Sequence, residues 1–278
     1  MKKIPLEGFV YIFFSETLIG IGEKMDFISL KVENSIGILT LNRPPINSLN
    51  LQVYQELRNA IQSISERREI RVVILRAEGK NFSFGNDVAE FTKFTTGNIL
   101  IDYAGVASDC VRSLYECLVP FIGAVNGLAV GTGCALVSCC DVIIASENAK
   151  FSMPEIKVGI VGAACFLSRI LPQHLHRYMA FTGDVITAEQ MKQYGAVLKV
   201  VPENQLLESA IGVAKRIAEL PPLAIKELKA AINRNENAQL KEKYALEIKY
   251  GASLMCTEDF REAVAAFLEK RKPIYHGK

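Results

Sequence analysis

Residues 121–146, FIGAVNGLAVGTGCALVSCCDVIIAS, decide the fold. An apolar run from Phe121 to Asn126 stops at Gly127, and Gly131 and Gly133 flank a threonine. The apolar stretch Cys134 to Val137 follows, and Asp141 to Ser146 turns β-branched again. Those lengths and compositions predict a buried strand, a tight glycine turn, a buried helix and a second buried strand. A strand that returns after a helix predicts a mostly parallel sheet covered on both faces, hence the α/β class.

The flanks extend the pattern. ISLKV (28–32) and IGILTLN (36–42) predict two strands around Asn34-Ser35, the second stopped by Pro44-Pro45. Leu51, Tyr54, Leu57, Ile61 and Ile64 recur at helical spacing, so 50–66 is an amphipathic helix. VVILRA (72–77) reads as a buried strand, 79–87 as a loop and 98–118 as a helix ended by Pro120; KFSMPE (150–155) reads as a further strand. Beyond about residue 160 the pattern becomes helical. Thr187 with Gln190 forms a capping box and Gly195 stops that helix; Leu206, Ala210, Val213, Ala214 and Ile217 share one face of 203–220; Pro221-Pro222 breaks it, and Thr257 caps a last helix. No linker divides the chain, so one domain is expected over 25–278, with an α/β core to about 200 and a helical part over 203–278.

Composition narrows the function classes. In 278 residues, 32 basic and 30 acidic side chains nearly cancel, which argues against nucleic acid or an acidic membrane surface as partner and favours a small molecule. The seven cysteines are odd in number and sit mostly among aliphatic residues, as buried packing residues of a reducing cytosol do; the pair Cys139-Cys140 lacks the spacing of a zinc or redox site. His174 and His176 alternate without a nearby acid, so they read as a polar helix surface, and no metal site is expected. The apolar run Phe9 to Phe14 is too short for a signal-peptide core or a membrane span. Residues 1–24 are therefore set apart as an N-terminal extension, with translation expected to start at Met25, and the protein is expected in the cytoplasm.

Two loops share one form, in which a buried strand ends in a glycine-containing turn and a helix follows. They are GKNFSFGNDVAEF (79–91) and the turn at 127–133. Helix N-termini present unpaired N–H groups at such places, and two amides aimed at one point make an oxyanion hole. A dinucleotide fingerprint fails because Leu136 stands where its third glycine belongs, and Gly79-Lys80-Asn81 does not complete a phosphate loop. Close helix–sheet packing is the plain alternative for Gly131 and Gly133. Glu155, after Pro154 in an apolar setting, is the candidate proton carrier, because burial would raise its pKa. Asp87, Glu90 and Glu147 are weaker candidates.

Taken together, four segments resemble the crotonase superfamily, the enoyl-CoA hydratase/isomerase family. They are NRPPINSLN, NFSFGNDVAEF, PFIGAVNGLAVGTGCALVSCCDVIIAS and FSMPEIKVGI, in register from about Met25 to the C-terminus. The resemblance implies a spiral of ββα units capped by C-terminal helices and assembled as a homotrimer or hexamer. It also implies an acyl-CoA substrate whose CoA is part of the substrate, so that no separate cofactor is needed. Carried over by position, the Asn86 and Thr132 amides form the oxyanion hole, Asp87, Val88, Ala89 and Gly131 contact substrate, and Glu155 is catalytic. Two departures stand out: Ala135 occupies the position where family hydratases carry a second Glu, and Gly159 is followed by IVGAACF instead of a glycine pair. Hydration suits two carboxylates, whereas a 1,3-proton shift needs one base. The expected activity is therefore enoyl-CoA isomerisation by Glu155. The alternatives are hydration by Glu155 alone, thioester hydrolysis or decarboxylation, and acyl-CoA binding without turnover. Lys270, Arg271 and Lys272 read as a solvated basic helix end.

Overall fold

The computed structural model describes residues 25–91, 97–236 and 240–278, so the reading of residues 1–24 lies outside it. Strands β1 (Ile28–Glu33) and β2 (Ile36–Leu41) form a hairpin, and Asn34 and Ser35 take its two positive-φ turn positions. Helix α1 (Leu51–Glu66) begins where Asn50 Oδ1 caps the Val53 N–H at 2.9 Å, and it leads to β3 (Val72–Ala77). Helices α2 (Val88–Phe91) and α3 (Gly97–Glu116) precede β4 (Phe121–Val125). Then come β5 (Leu128–Val130), α4 (Thr132–Cys139), β6 (Val142–Ser146) and β7 (Lys150–Ser152).

The rest is mainly helical: α5 (Ala164–Leu167), α6 (Gln173–Thr182), then β8 (Ile186–Thr187), α7 (Ala188–Gln193) and β9 (Lys199–Val201). Helices α8 (Leu206–Ala218), α9 (Pro222–Glu236), α10 (Leu240–Leu254) and α11 (Glu258–Glu269) finish the chain.

One sheet has the order β1-β2-β3-β4-β6-β9, parallel throughout except for the first hairpin; a second has the order β5-β7-β8. The chain crosses between the sheets at Gly127, whose φ of +52° and close approach to Lys80 O, 2.0 Å from where a Cβ would stand, exclude a side chain. Both faces of the larger sheet are covered. On one, Ile36, Val72, Ile74, Ile122, Ala124 and Ile144 pack against Leu206, Ala210, Ala214 and Ala218 of α8. On the other, a continuous apolar cluster runs from Ile28 to Val264 and gathers α1, α3, α4 and the C-terminal helices. Each Ile or Leu fully buried there stabilises the fold by about 1.5–3 kcal/mol.

Several details differ from the sequence reading. Strand β7 stops at Ser152, because Pro154 lacks a donor and opens a 3-10 turn, Pro154–Val158. Strands β8 and β9 lie beyond residue 160, where the sequence shows only a helical pattern; at two and three residues they are too short to show a period. Six cysteines are buried and Cys256 is exposed. His174 is exposed, but His176 is half-buried, with its ring bonded to the Ala164 backbone at α5 and Nε2 shielded without a partner among the described residues. It is a helix–helix contact and not a polar surface residue.

Candidate active site

The NRPPINSLN segment is a mould for the first loop. Asn47, buried at a φ of 53°, donates from Nδ2 to Glu78 O (2.8 Å) and Asn81 O (2.9 Å), while its Oδ1 accepts from Arg43 N (2.8 Å). Ser83 Oγ donates to Asn47 O at 2.7 Å. Leu49 then pairs with both neighbours of Asn86: its N–H donates to Gly85 O at 2.7 Å, and its carbonyl accepts from Asp87 N at 3.0 Å. In this parallel bridge the Asn86 N–H faces away from Leu49, and it has no hydrogen-bond partner among the described residues.

The second loop meets the first at glycines. Gly131 is tied to Ser152 O by its N–H (2.9 Å), and Thr132 begins α4, so the Thr132 N–H is one of the donors a helix start leaves unpaired. A Cβ on Gly85 would lie 3.1 Å from Thr132 N and 2.6 Å from Val130 O, so the backbone just before Asn86 touches the start of α4. A Cβ on Gly133 would lie 2.7 Å from Ser83 Cβ, and one on Gly131 would lie 2.7 Å from Glu155 Oε1. The two readings of these glycines therefore divide between them: Gly133 admits close packing, and Gly131 admits a carboxylate beside the Thr132 amide.

Glu155 occupies the 3-10 turn after Pro154, which ends at Gly159 in the left-handed conformation (φ 72°). Its Oε2 is shielded from solvent and has no hydrogen-bond partner among the described residues. Burial pushes the carboxyl up to about 8, with its own backbone N–H opposing and Glu247 adding to the rise. Asn86, Thr132 and Glu155 line one cavity of about 50 Å³, closed by Ile160, Ala163, Tyr244 and Met255. Ala135 is wholly buried in α4, so that position offers no acid.

The remaining predicted residues lie outside the lining of the cavity. Asp87 is paired with Arg43 Nη2 at 2.9 Å, and Val88 and Ala89 open α2; none of the three lines the cavity. Glu90 accepts from Leu51 N at 3.0 Å, which ties α2 to α1. Lys270 caps α11, and Arg271 is held by Glu262 and Glu269, so this basic run is braced by acids of its own helix. Glu247 was not anticipated. From α10 its carboxylate accepts from the Ala164 and Cys165 N–H groups at the start of α5, and burial raises its pKa. Only its helical neighbours Tyr244 and Ile248, which line the cavity, hint at this in the sequence.

Two unpaired amides beside a buried carboxylate can hold an anionic oxygen and move a proton next to it. The comparisons agree in kind. The family model for enoyl-CoA hydratase/isomerase matches residues 31–278. The (7aS)-7a-methyl-1,5-dioxo-2,3,5,6,7,7a-hexahydro-1H-indene-carboxyl-CoA hydrolase of Mycobacterium tuberculosis is 36% identical over 246 residues, covering 88% of this chain and 100% of the relative. The 2,3-dehydroadipyl-CoA hydratase of Escherichia coli is 34% identical, covering 87% of this chain and 95% of the relative. The crystal structure of an enoyl-CoA hydratase/isomerase from Pseudoalteromonas atlantica superposes with a TM-score of 0.80 at 28% identity, covering 90% of this chain and 99% of that one. The chain belongs to the enoyl-CoA hydratase/isomerase family of the crotonase superfamily.

Proposed function

We propose that the protein isomerises enoyl-CoA thioesters by a one-base proton shift. The Asn86 and Thr132 N–H groups hydrogen-bond the thioester oxygen and stabilise it as the enolate oxyanion. Glu155 takes a proton from the α-carbon of a 3-enoyl-CoA and returns it to the γ-carbon, and the double bond moves from position 3 to position 2. The observation that carries this reading is the placement of the Glu155 carboxylate, its Oε2 without a partner among the described residues, against Gly131 beside the Thr132 amide, with Ala135 where a second acid would stand. A base of raised pKa is suited to an α-proton, since it narrows the gap in acidity between donor and acceptor. Asp87, Val88, Ala89 and Gly131 would carry substrate contacts, the Asp87 side chain being engaged by Arg43 and the Asp87 and Gly131 N–H groups by Leu49 O and Ser152 O. CoA enters as part of the substrate, and no separate cofactor takes part.

A second reading is supported by the relatives' names. Two proteins at 36% and 35% identity are called CoA hydrolases, and others are called hydratases. In that reading Glu155 activates water instead of shuttling a proton. Incubating the protein with 3-enoyl-CoA and 2-enoyl-CoA separately, with products identified by mass, decides the matter. Conversion without mass change marks isomerisation, and a gain of water marks hydration. Free CoA marks hydrolysis, and binding without turnover removes the enzyme reading. Glu155→Gln should lose turnover of whichever product forms while acyl-CoA still binds.

The same reading makes the assembly a homotrimer or hexamer in the cytoplasm. Exposed apolar residues on the C-terminal helices support the assembly, and buried free thiols support a reducing compartment. Among the described residues no helix is long and apolar enough to cross a membrane.

A further inference from the structure

The two proposed oxyanion donors are backbone groups, yet the residues that own them carry polar side chains joined to each other. Asn86 Oδ1 accepts from Tyr54 Oη and, at 3.3 Å, from Thr132 Oγ1. Both hydroxyls thus converge on one carboxamide oxygen. Tyr54 is wholly buried on α1, and its ring meets Tyr103 of α3 edge-on, with centroids 5.9 Å apart at 81°. Tyr103 Oη donates in turn to Leu49 O at 2.9 Å, the carbonyl that also accepts from Asp87 N. Asn86 is thus held on its side chain by Tyr54 and Thr132, and on its backbone flank by Leu49 and Tyr103. Alanine or glycine at 86 and 132 would leave both amides in place and remove both hydrogen bonds to the Asn86 side chain.

We propose that Tyr54 is a positioning residue: its hydroxyl and that of Thr132 both donate to Asn86 Oδ1, and this shared clamp fixes the two backbone donors relative to each other. Hydrogen-bond strength falls steeply with angle, so a few tenths of an ångström at either loop would weaken the hole while leaving the pocket able to bind. The inference rests on the oxyanion reading of these two amides. It goes beyond that reading by assigning the registry of two loops from different strands to a side chain on a third element.

The test uses butyryl-CoA carrying ¹³C at the thioester carbonyl. This saturated thioester does not turn over by isomerisation, but it can exchange its α-protons. Binding, the infrared shift of the labelled carbonyl and deuterium uptake at the α-carbon are measured for the wild type, Tyr54→Phe, Thr132→Val and Thr132→Ser. Tyr54→Phe and Thr132→Val are expected to bind within about threefold of wild type, to lose most of the carbonyl shift, and to slow exchange about 10- to 100-fold. Thr132→Ser restores both. A full carbonyl shift in Tyr54→Phe and Thr132→Val overturns the inference while leaving the oxyanion reading intact. A wild type that binds with no carbonyl shift overturns both. If Tyr54→Phe fails to fold, the Val and Ser pair at 132, which retains the backbone donor, decides alone.

Discussion

Glu155 shows how one residue ties burial to pH. With its carboxyl at about 8, the proposed base is mostly protonated at neutral pH, so kcat/KM should rise about tenfold per pH unit below 8 and level off above it. Stability runs the other way. Between the ordinary value of 4.5 and about 8 the folded state binds the extra proton, so wild-type stability falls with rising pH relative to Glu155→Gln, by up to about 1.4 kcal/mol per unit. The gap in Tm between the two proteins should therefore widen from pH 5 to pH 8 and then stay constant; a gap independent of pH would refute the buried, unpaired carboxylate. Two glycine-type positions test the local backbone. Gly131→Ala places a Cβ on the Glu155 carboxylate at φ 55° and should cost at least 100-fold in kcat with about 1–3 kcal/mol of stability. Ala163 is the converse, an alanine held at φ 59° in the left-handed region that favours glycine. Ala163→Gly should stabilise by up to about 1 kcal/mol in urea unfolding. Glu155 stood out in the sequence because it follows Pro154 among apolar residues, although the turn that carries it reads there as a strand. The Tyr54 hydroxyl was not, since helical spacing reveals which way a ring faces and nothing about what its oxygen meets.

At the level of elements, the long strands and α1 were legible because six-residue β-branched runs and a sixteen-residue helical period outweigh local noise. Strand β5 was hidden inside what looked like a glycine turn, because Leu128–Val130 owes its extension to pairing with β7 and to Ser83, not to its own composition. The site inherits the same limit. The sequence names both loops, but the mould that shapes the first, Asn47 with Leu49, acts through hydrogen bonds more than thirty residues apart. That mould can be broken singly. Asn47→Ala leaves Glu78 O, Asn81 O and Arg43 N without their side-chain partner and puts alanine at φ 53°. Urea unfolding should show a loss of about 2–4 kcal/mol, and kcat should fall more than acyl-CoA affinity, because the loop that presents the Asn86 amide loosens. An unchanged midpoint would mean that the loop holds its shape without the mould.

At the scale of the whole molecule, the uncovered apolar side chains are concentrated late in the chain. Phe181 of α6 is 68% exposed and Leu223 of α9 is 77% exposed, with Leu228, Ile232, Leu246, Tyr250 and Phe267 also open on α9 to α11. Single exposed leucines are ordinary, but so many on consecutive helices are a surface that water would not leave bare. A formal net charge of +2 offers little repulsion between copies. One of them, α10, also closes the cavity through Tyr244 and Gly251, with Met255 just past its end, so a neighbour on this surface would meet the helix that roofs the proposed active site. Light scattering at micromolar concentration should give three or six times the 30.7 kDa of one chain. Leu223→Asp combined with Ile232→Asp should lower that mass toward a single chain, and it should lower kcat in parallel if the neighbour steadies the roof. A wild-type mass of one chain would sink the assembly, and an unaltered kcat in a dissociated double variant would show that the roof over Glu155 stands without a partner.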